Sequence, residues 1–183
     1  MPTINKPYVS KSGDSTELLE TGAMTNGQYV KARTVFGPNG IRVPSHVHAD
    51  QDETYEVVSG TLTYFLNGKK HFAPPGTIVE LPRGVAHQHY SEGPEPAATI
   101  QTMKPAGDFD FVLETLLGLG SEGRLRGLDF FIQGMVMIDR MKSPVLLGFI
   151  PIWLQRGIAR VFTPVAELFG YHAVYKRFSG QDW

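Results

Sequence analysis

The sequence predicts a mainly-β domain followed by a helical extension, and three observations predict it. Up to about residue 107, short β-rich runs alternate with turn signals. Beyond that point, apolar residues recur at three- and four-residue steps. The 20 Gly and 13 Pro among 183 residues suit a chain of many turns better than a helical bundle. The domain reading is therefore 1–107 for the β-domain with its N-terminal strands. It is 108–183 for a helical extension that packs on that domain or on a dimer partner.

Taken in order, the first predicted strand is Gly27–Phe36, ended by the turn Gly37-Pro38-Asn39-Gly40. Strands follow at Thr54–Val58, Thr61–Leu66, His71–Ala73, Thr77–Leu81, Val85–Tyr90 and Ala98–Met103. Their separators are rich in Gly and Pro: Ser59-Gly60, Pro74-Pro75-Gly76, Pro82-Arg83-Gly84 and Glu92-Gly93-Pro94. Asn67-Gly68 between two apolar runs is a hairpin signal, because both central residues of a type I′ turn need φ > 0. Strands at this spacing predict a sandwich or a barrel.

The helical part opens with an apolar face through Phe109, Phe111, Val112, Leu113, Leu116 and Leu117. A second face runs through Leu125, Leu128, Phe131, Ile132, Met135, Val136 and Ile138. A third helix is expected to start near Pro144, with Pro151 kinking or dividing it. A fourth is expected to open with Thr163 as N-cap and Pro164 in the first turn, and to stop near Gly170.

Composition excludes several functions. With no cysteine there is no disulfide framework, thiolate metal site or cysteine nucleophile. A net charge of −1 argues against bulk-charge binding of nucleic acid, and no basic stripe is present. No P-loop, dinucleotide fingerprint or Ser-His-Asp pattern is seen. The polar N-terminal stretch has no apolar signal core, and the 13 uncharged residues from Ser143 to Gln155 are too few for a spanning helix. The expectation is a cytoplasmic protein. Contact of Phe149–Leu154 with a membrane surface is the lesser reading beside a helical cap or a lid over the site.

Five of the six histidines fall between positions 46 and 89. His46 and His48, and again His87 and His89, stand two residues apart, so on extended chain each pair shares a face. Glu53 lies between the pairs. Imidazoles plus one carboxylate make a good donor set for a divalent first-row metal. Glu56 is the rival carboxylate, but alternation puts it on the opposite face from Glu53, Tyr55 and Val57. Tyr55, Tyr64 and His89 are candidates to line a substrate pocket, while His71 and His172 read as surface residues.

The spacings carry a resemblance. Gly40, five residues, His46-Val47-His48, four residues, Glu53, six residues and Gly60 form one pattern. Gly76, five residues, Pro82-Arg83-Gly84, two residues, His87, three residues and Ser91 form a second. Together they resemble the two motifs of the cupin family, with Ser91 where the second motif usually has Asn. The resemblance implies a double-stranded β-helix (jelly-roll) barrel. It also implies one divalent transition metal (Fe, Ni, Mn, Co, Cu or Zn) held by His46, His48, Glu53 and His87. Glu53 would double as the catalytic base. The intact ligand set, with Lys6-Pro7-Tyr8-Val9 and His48-Ala49-Asp50, is similar to single-domain quercetin dioxygenases. That implies a metal-dependent dioxygenase acting on a small enolic or aromatic substrate. The alternatives are a small-ligand-binding or sensor cupin without turnover, and a non-oxidative isomerase or lyase. An exposed β edge plus apolar helices suggests a homodimer.

Overall fold

Alternating burial along the strands builds two facing sheets. The computed structural model describes residues 2–38, 40 and 42–180. Asn39 of the predicted turn and the outermost residues of both predicted domains, 1 and 181–183, lie outside the described residues. The chain runs through β1 (Tyr8–Val9), β2 (Ser15–Glu20), β3 (Val30–Phe36), β4 (His46–His48) and β5 (Asp52–Ser59). It continues through β6 (Leu62–Leu66), β7 (Lys69–Ala73), β8 (Ile78–Leu81), β9 (His87–Tyr90) and β10 (Ala97–Lys104). Then come α1 (Phe109–Ser121), α2 (Leu128–Arg140), β11 (Val145–Leu147), α3 (Ile152–Leu168) and α4 (Lys176–Ser179).

One sheet has six strands in the order β1-β2-β3-β10-β5-β8; the other has five, β11-β4-β9-β6-β7. Asn67 (φ 51°) and Gly68 (φ 75°) make the β6–β7 turn, as the type I′ geometry requires. Gly60 closes the β5–β6 turn, where a Cβ would stand 2.1 Å from the Pro96 carbonyl oxygen. The inner faces meet through Phe36, Tyr55, Val57, Val79 and Leu81 of the larger sheet and Leu62 and Ala73 of the smaller.

The sheets do not close. β1 and β8 lie at the edges of one, β11 and β7 at the edges of the other, and no ladder joins the two among the described residues. The jelly-roll barrel expected from the sequence is corrected to a pair of open sheets, in a mainly-β fold with C-terminal helices. The physical reason is that period-two alternation reports which side chains face inward. Closure depends on edge-to-edge hydrogen bonds, which that alternation does not encode.

A second apolar cluster runs from the six-stranded sheet into the helices. Leu18, Val30, Ala32 and Met103 pack with Phe109 and Val112 of α1, Val136 and Met137 of α2, and Ala166 of α3. Acidic side chains of the α1 region anchor neighbouring segments. The Asp110 carboxylate accepts from the Gly22 N–H (3.0 Å), and Glu114 from the Thr3 N–H (2.9 Å) and the Tyr8 hydroxyl (3.2 Å). Asp108, just before α1, accepts from the backbone N–H groups of Lys142 and Ser143 at 2.7 and 2.9 Å.

Two helix expectations are corrected. The segment after Pro144 is the strand β11, paired antiparallel with β4, and the helix starts only after Pro151. Gln155 of α3 holds that strand: it accepts from the Leu147 N–H and donates to the Leu147 and Ile150 carbonyls at 2.7–2.9 Å. Thr163-Pro164 opens no new helix; Pro164 sits inside α3. It lies on the exposed side, where water can take the Arg160 carbonyl that its missing N–H leaves. Among the described residues, no helix is long and apolar enough to cross a membrane.

Candidate metal centre

The two sheets bring one carboxylate against three imidazoles. β4 supplies His46 and His48, and β9 supplies His87 directly opposite His46 in the ladder. β5, in the facing sheet, supplies Glu53. One ligand atom from each of the four lies within 4.8 Å of every other, and all four side chains are buried. The cluster is positioned to chelate a single divalent metal ion.

Backbone carbonyls set the imidazole tautomers. His46 Nδ1 lies 3.0 Å from the Pro44 carbonyl oxygen and His87 Nδ1 lies 2.9 Å from that of Val85. Each Nδ1 therefore carries the proton and donates it, which leaves each Nε2 a bare lone pair. His87 Nε2 stands 3.0 Å from Glu53 Oε2, and His48 Nε2 stands 3.8 Å from it. A lone pair facing a carboxylate oxygen at 3.0 Å needs positive charge between them, a proton or a cation. Neither Glu53 Oε2 nor His87 Nε2 has another hydrogen-bond partner among the described residues. These orphaned buried acceptors fit a metal ion, and the donor set suits a first-row divalent ion.

Glu53 is held from behind. Its Oε1 accepts from the Tyr55 hydroxyl at 2.9 Å and from the Gln101 side-chain amide at 2.5 Å. Tyr55 also lies 3.0 Å from His89 Nε2; since the phenol donates to Glu53, His89 donates to the phenol oxygen. Burial depresses His46 well below its ordinary range, lowers His48 and brings His89 down to about 4, so all three favour the neutral imidazole. Burial also opposes ionisation of Glu53. A proton shared with His87, then positive charge on His89 and His48 when either carries it, outweighs burial and holds the carboxyl well below its usual range. Burial, then the Glu53 charge, pushes the Tyr55 phenol well above its usual range, so it stays a donor.

The remaining sequence candidates are placed as follows. His89 is buried beside the cluster, with its ring 5.4 Å from that of His46. Tyr64 is half-buried and stacks on the exposed His71 ring at 5.0 Å. Glu56 points to solvent. Sequence reasoning missed Gln101, which sits opposite Tyr55 in the β5–β10 ladder. The available signal was a polar residue at an inward position of an alternating strand, between Thr99 and Met103. It also missed Phe109, whose ring meets that of His48 edge-on at 5.6 Å and brings α1 against the cluster.

A family model described as the cupin domain matches residues 32–103, which contain all four cluster residues. Over those residues the chain is similar to the cupin family. Quercetin 2,3-dioxygenase of Bacillus subtilis is 27% identical over 92 residues. That match spans 45% of this chain and only 27% of the relative's length. Among solved structures, KdgF from a Halomonas species is similar at 20% identity and a TM-score of 0.49, over 60% of this chain and 96% of that one. A predicted oxalate decarboxylase from Thermotoga maritima is similar at 21% identity and a TM-score of 0.48, over 57% and 90%.

Proposed function

We propose that this protein is a small-ligand-binding cupin that holds an oxygen-donor ligand on a divalent metal bound by His46, His48, Glu53 and His87. The supporting observation is the double clamp on Glu53: with Oε1 taken by Tyr55 and Gln101, only Oε2 is turned toward the imidazoles. A carboxylate held this way acts as a fixed ligand. Acting as a swinging base would require breaking two buried hydrogen bonds to a charged acceptor, at about 1.5–3 kcal/mol each. A bound metal supplies Lewis-acid polarisation of a coordinated oxygen. The chain's own residues do the rest. His46 and His87 present Nε2 lone pairs fixed by backbone carbonyls, Tyr55 and Gln101 hold the carboxylate, and Phe109 shields His48.

A second reading is a metal-dependent dioxygenase of small enolic or aromatic compounds. The Bacillus subtilis quercetin 2,3-dioxygenase match favours it. In that reading Glu53 takes the substrate proton and its clamp must open. A non-oxidative isomerase or lyase would also need a mobile proton acceptor. The test is a screen of enols, flavonols and hydroxy-acids by calorimetry against metal-loaded protein, with oxygen uptake and product analysis run in parallel. Saturable binding that depends on Glu53 and His87, without oxygen uptake or conversion, supports the ligand-binding reading. Substrate-dependent oxygen consumption replaces it with the dioxygenase, and anaerobic conversion replaces it with the non-oxidative enzyme.

A further inference from the structure

We infer that the outer face of α3, with the groove beside α2, is the interface through which two copies of this chain form a homodimer. The inference is independent of the metal. Helix α3 is built inside out. The residues it buries are Gln155, Ala159, Thr163 and Ala166, small or polar, whereas its large apolar side chains face solvent. Trp153 is 75% exposed, Val161 71%, Leu168 86% and Phe169 78%. An ordinary amphipathic helix turns such residues inward. Leu128 and Phe131 of α2 extend the exposed apolar surface.

Size, relief and charge each favour a second copy. At about 150–250 Å² per aromatic side chain, these residues expose on the order of 1,000 Å². A soluble monomer's largest apolar patch is about 300–600 Å², and a stable interface takes about 800 Å² per partner. The surface also has relief. A groove of about 470 Å³ lies between the helices, lined by Ile132, Met135, Phe162, Val165 and Phe169. It runs beside the ridge of Val161 and Leu168. Ridge beside groove on one patch is self-complementary under a two-fold axis, because each copy's ridge can enter the other's groove.

A lipid surface fits less well. Helices that lie on anionic membranes carry a basic face opposite the apolar one. Here that opposite face is packed against the protein. Arg156 and Arg160 share one edge of α3 with Glu167, which is itself paired to Arg140 at 2.8 Å.

The experiment is sedimentation velocity on the full chain at micromolar concentration, without detergent. Wild type is compared with Val161→Glu, Leu168→Glu and Phe72→Glu, the last an exposed side chain on the sheet-edge strand β7. Circular dichroism and melting check that each variant is folded, which their exposure in the single copy leads us to expect. The expected result is a wild-type and Phe72→Glu dimer, with dissociation constants at least about 100-fold higher for the two α3 variants. A wild-type monomer overturns the inference, and one that pellets with anionic vesicles assigns the face to lipid instead. A dimer that survives both α3 substitutions, or breaks with Phe72→Glu alone, places the interface elsewhere and also overturns it.

Discussion

Tyr55→Phe removes one oxygen atom and tests how the candidate metal centre is held. The ring stays, so packing against Phe36, at 5.9 Å between centroids, is retained. What goes is the 2.9 Å bond to Glu53 Oε1 and the 3.0 Å bond from His89 Nε2. A hydrogen bond to a charged acceptor contributes about 1.5–3 kcal/mol, and a buried donor left unpaired costs a similar amount. Glu53 keeps Gln101 on the same oxygen, so its position loosens without collapsing. The expected loss of stability is about 3–6 kcal/mol, or roughly 6–24 °C in melting temperature for a domain of this size. Metal affinity is expected to fall about 10- to 100-fold, the usual effect of losing a partner that orients a metal ligand. Scanning calorimetry of the metal-free protein and a metal titration with a competing chelator read the two effects separately. Metal affinity within twofold of wild type, whatever happens to melting, would refute the clamp and leave Tyr55 a packing residue. An unchanged melting temperature would refute the hydrogen bonds themselves.

Further expected outcomes concern neighbouring parts of the molecule. Glu53→Ala and His87→Ala should each weaken metal binding by at least about 100-fold, and Glu56→Ala, on the solvent side of the same strand, should leave it unchanged; equal losses in all three variants would dismantle the ligand set. Gln155→Leu removes two bonds to Leu147 of β11 and one to the Ile150 carbonyl beyond it, and should lower stability by about 2–4 kcal/mol in a denaturant titration, whereas a loss below about 0.5 kcal/mol would show that β11 does not depend on it. Burial raises Asp110 above the ordinary carboxylate range, so its folded form holds the proton more tightly than its unfolded form. Its contribution is therefore fully present below the unfolded value, about 4, and is lost as pH rises through the raised folded value. Asp110→Asn should flatten that part of the stability–pH curve relative to wild type, and a parallel curve would contradict the assignment.

Much of the candidate cluster was legible because its histidines lie in pairs on short extended runs, although His89 of the second pair turns to Tyr55 and not to Glu53. His46-x-His48 and His87-x-His89 each declare a common face, and the parity of Glu53 and Glu56 separates inside from outside along β5. The Asn67-Gly68 hairpin was legible for an equally local reason, since few residues tolerate two positive φ values in sequence. What was not legible depends on distant partners. Gln101 reaches Glu53 across 48 positions of sequence, through a ladder whose register no local pattern encodes. Val145–Leu147 is too short an apolar run to choose between strand and helix, and its state is decided by pairing with β4 and by Gln155. The inverted helix α3 is a related case: its apolar period is helical, but the face it defines is the outer one.

The most direct test of the central claim is elemental analysis of the protein purified without chelator, followed by metal titration of wild type, His48→Ala and Glu53→Ala. The account predicts about one divalent transition-metal ion per chain in wild type, or uptake of one on addition, and a sharp loss in both variants. A wild-type protein that carries no metal and takes up none, or variants that retain a full equivalent, would contradict it.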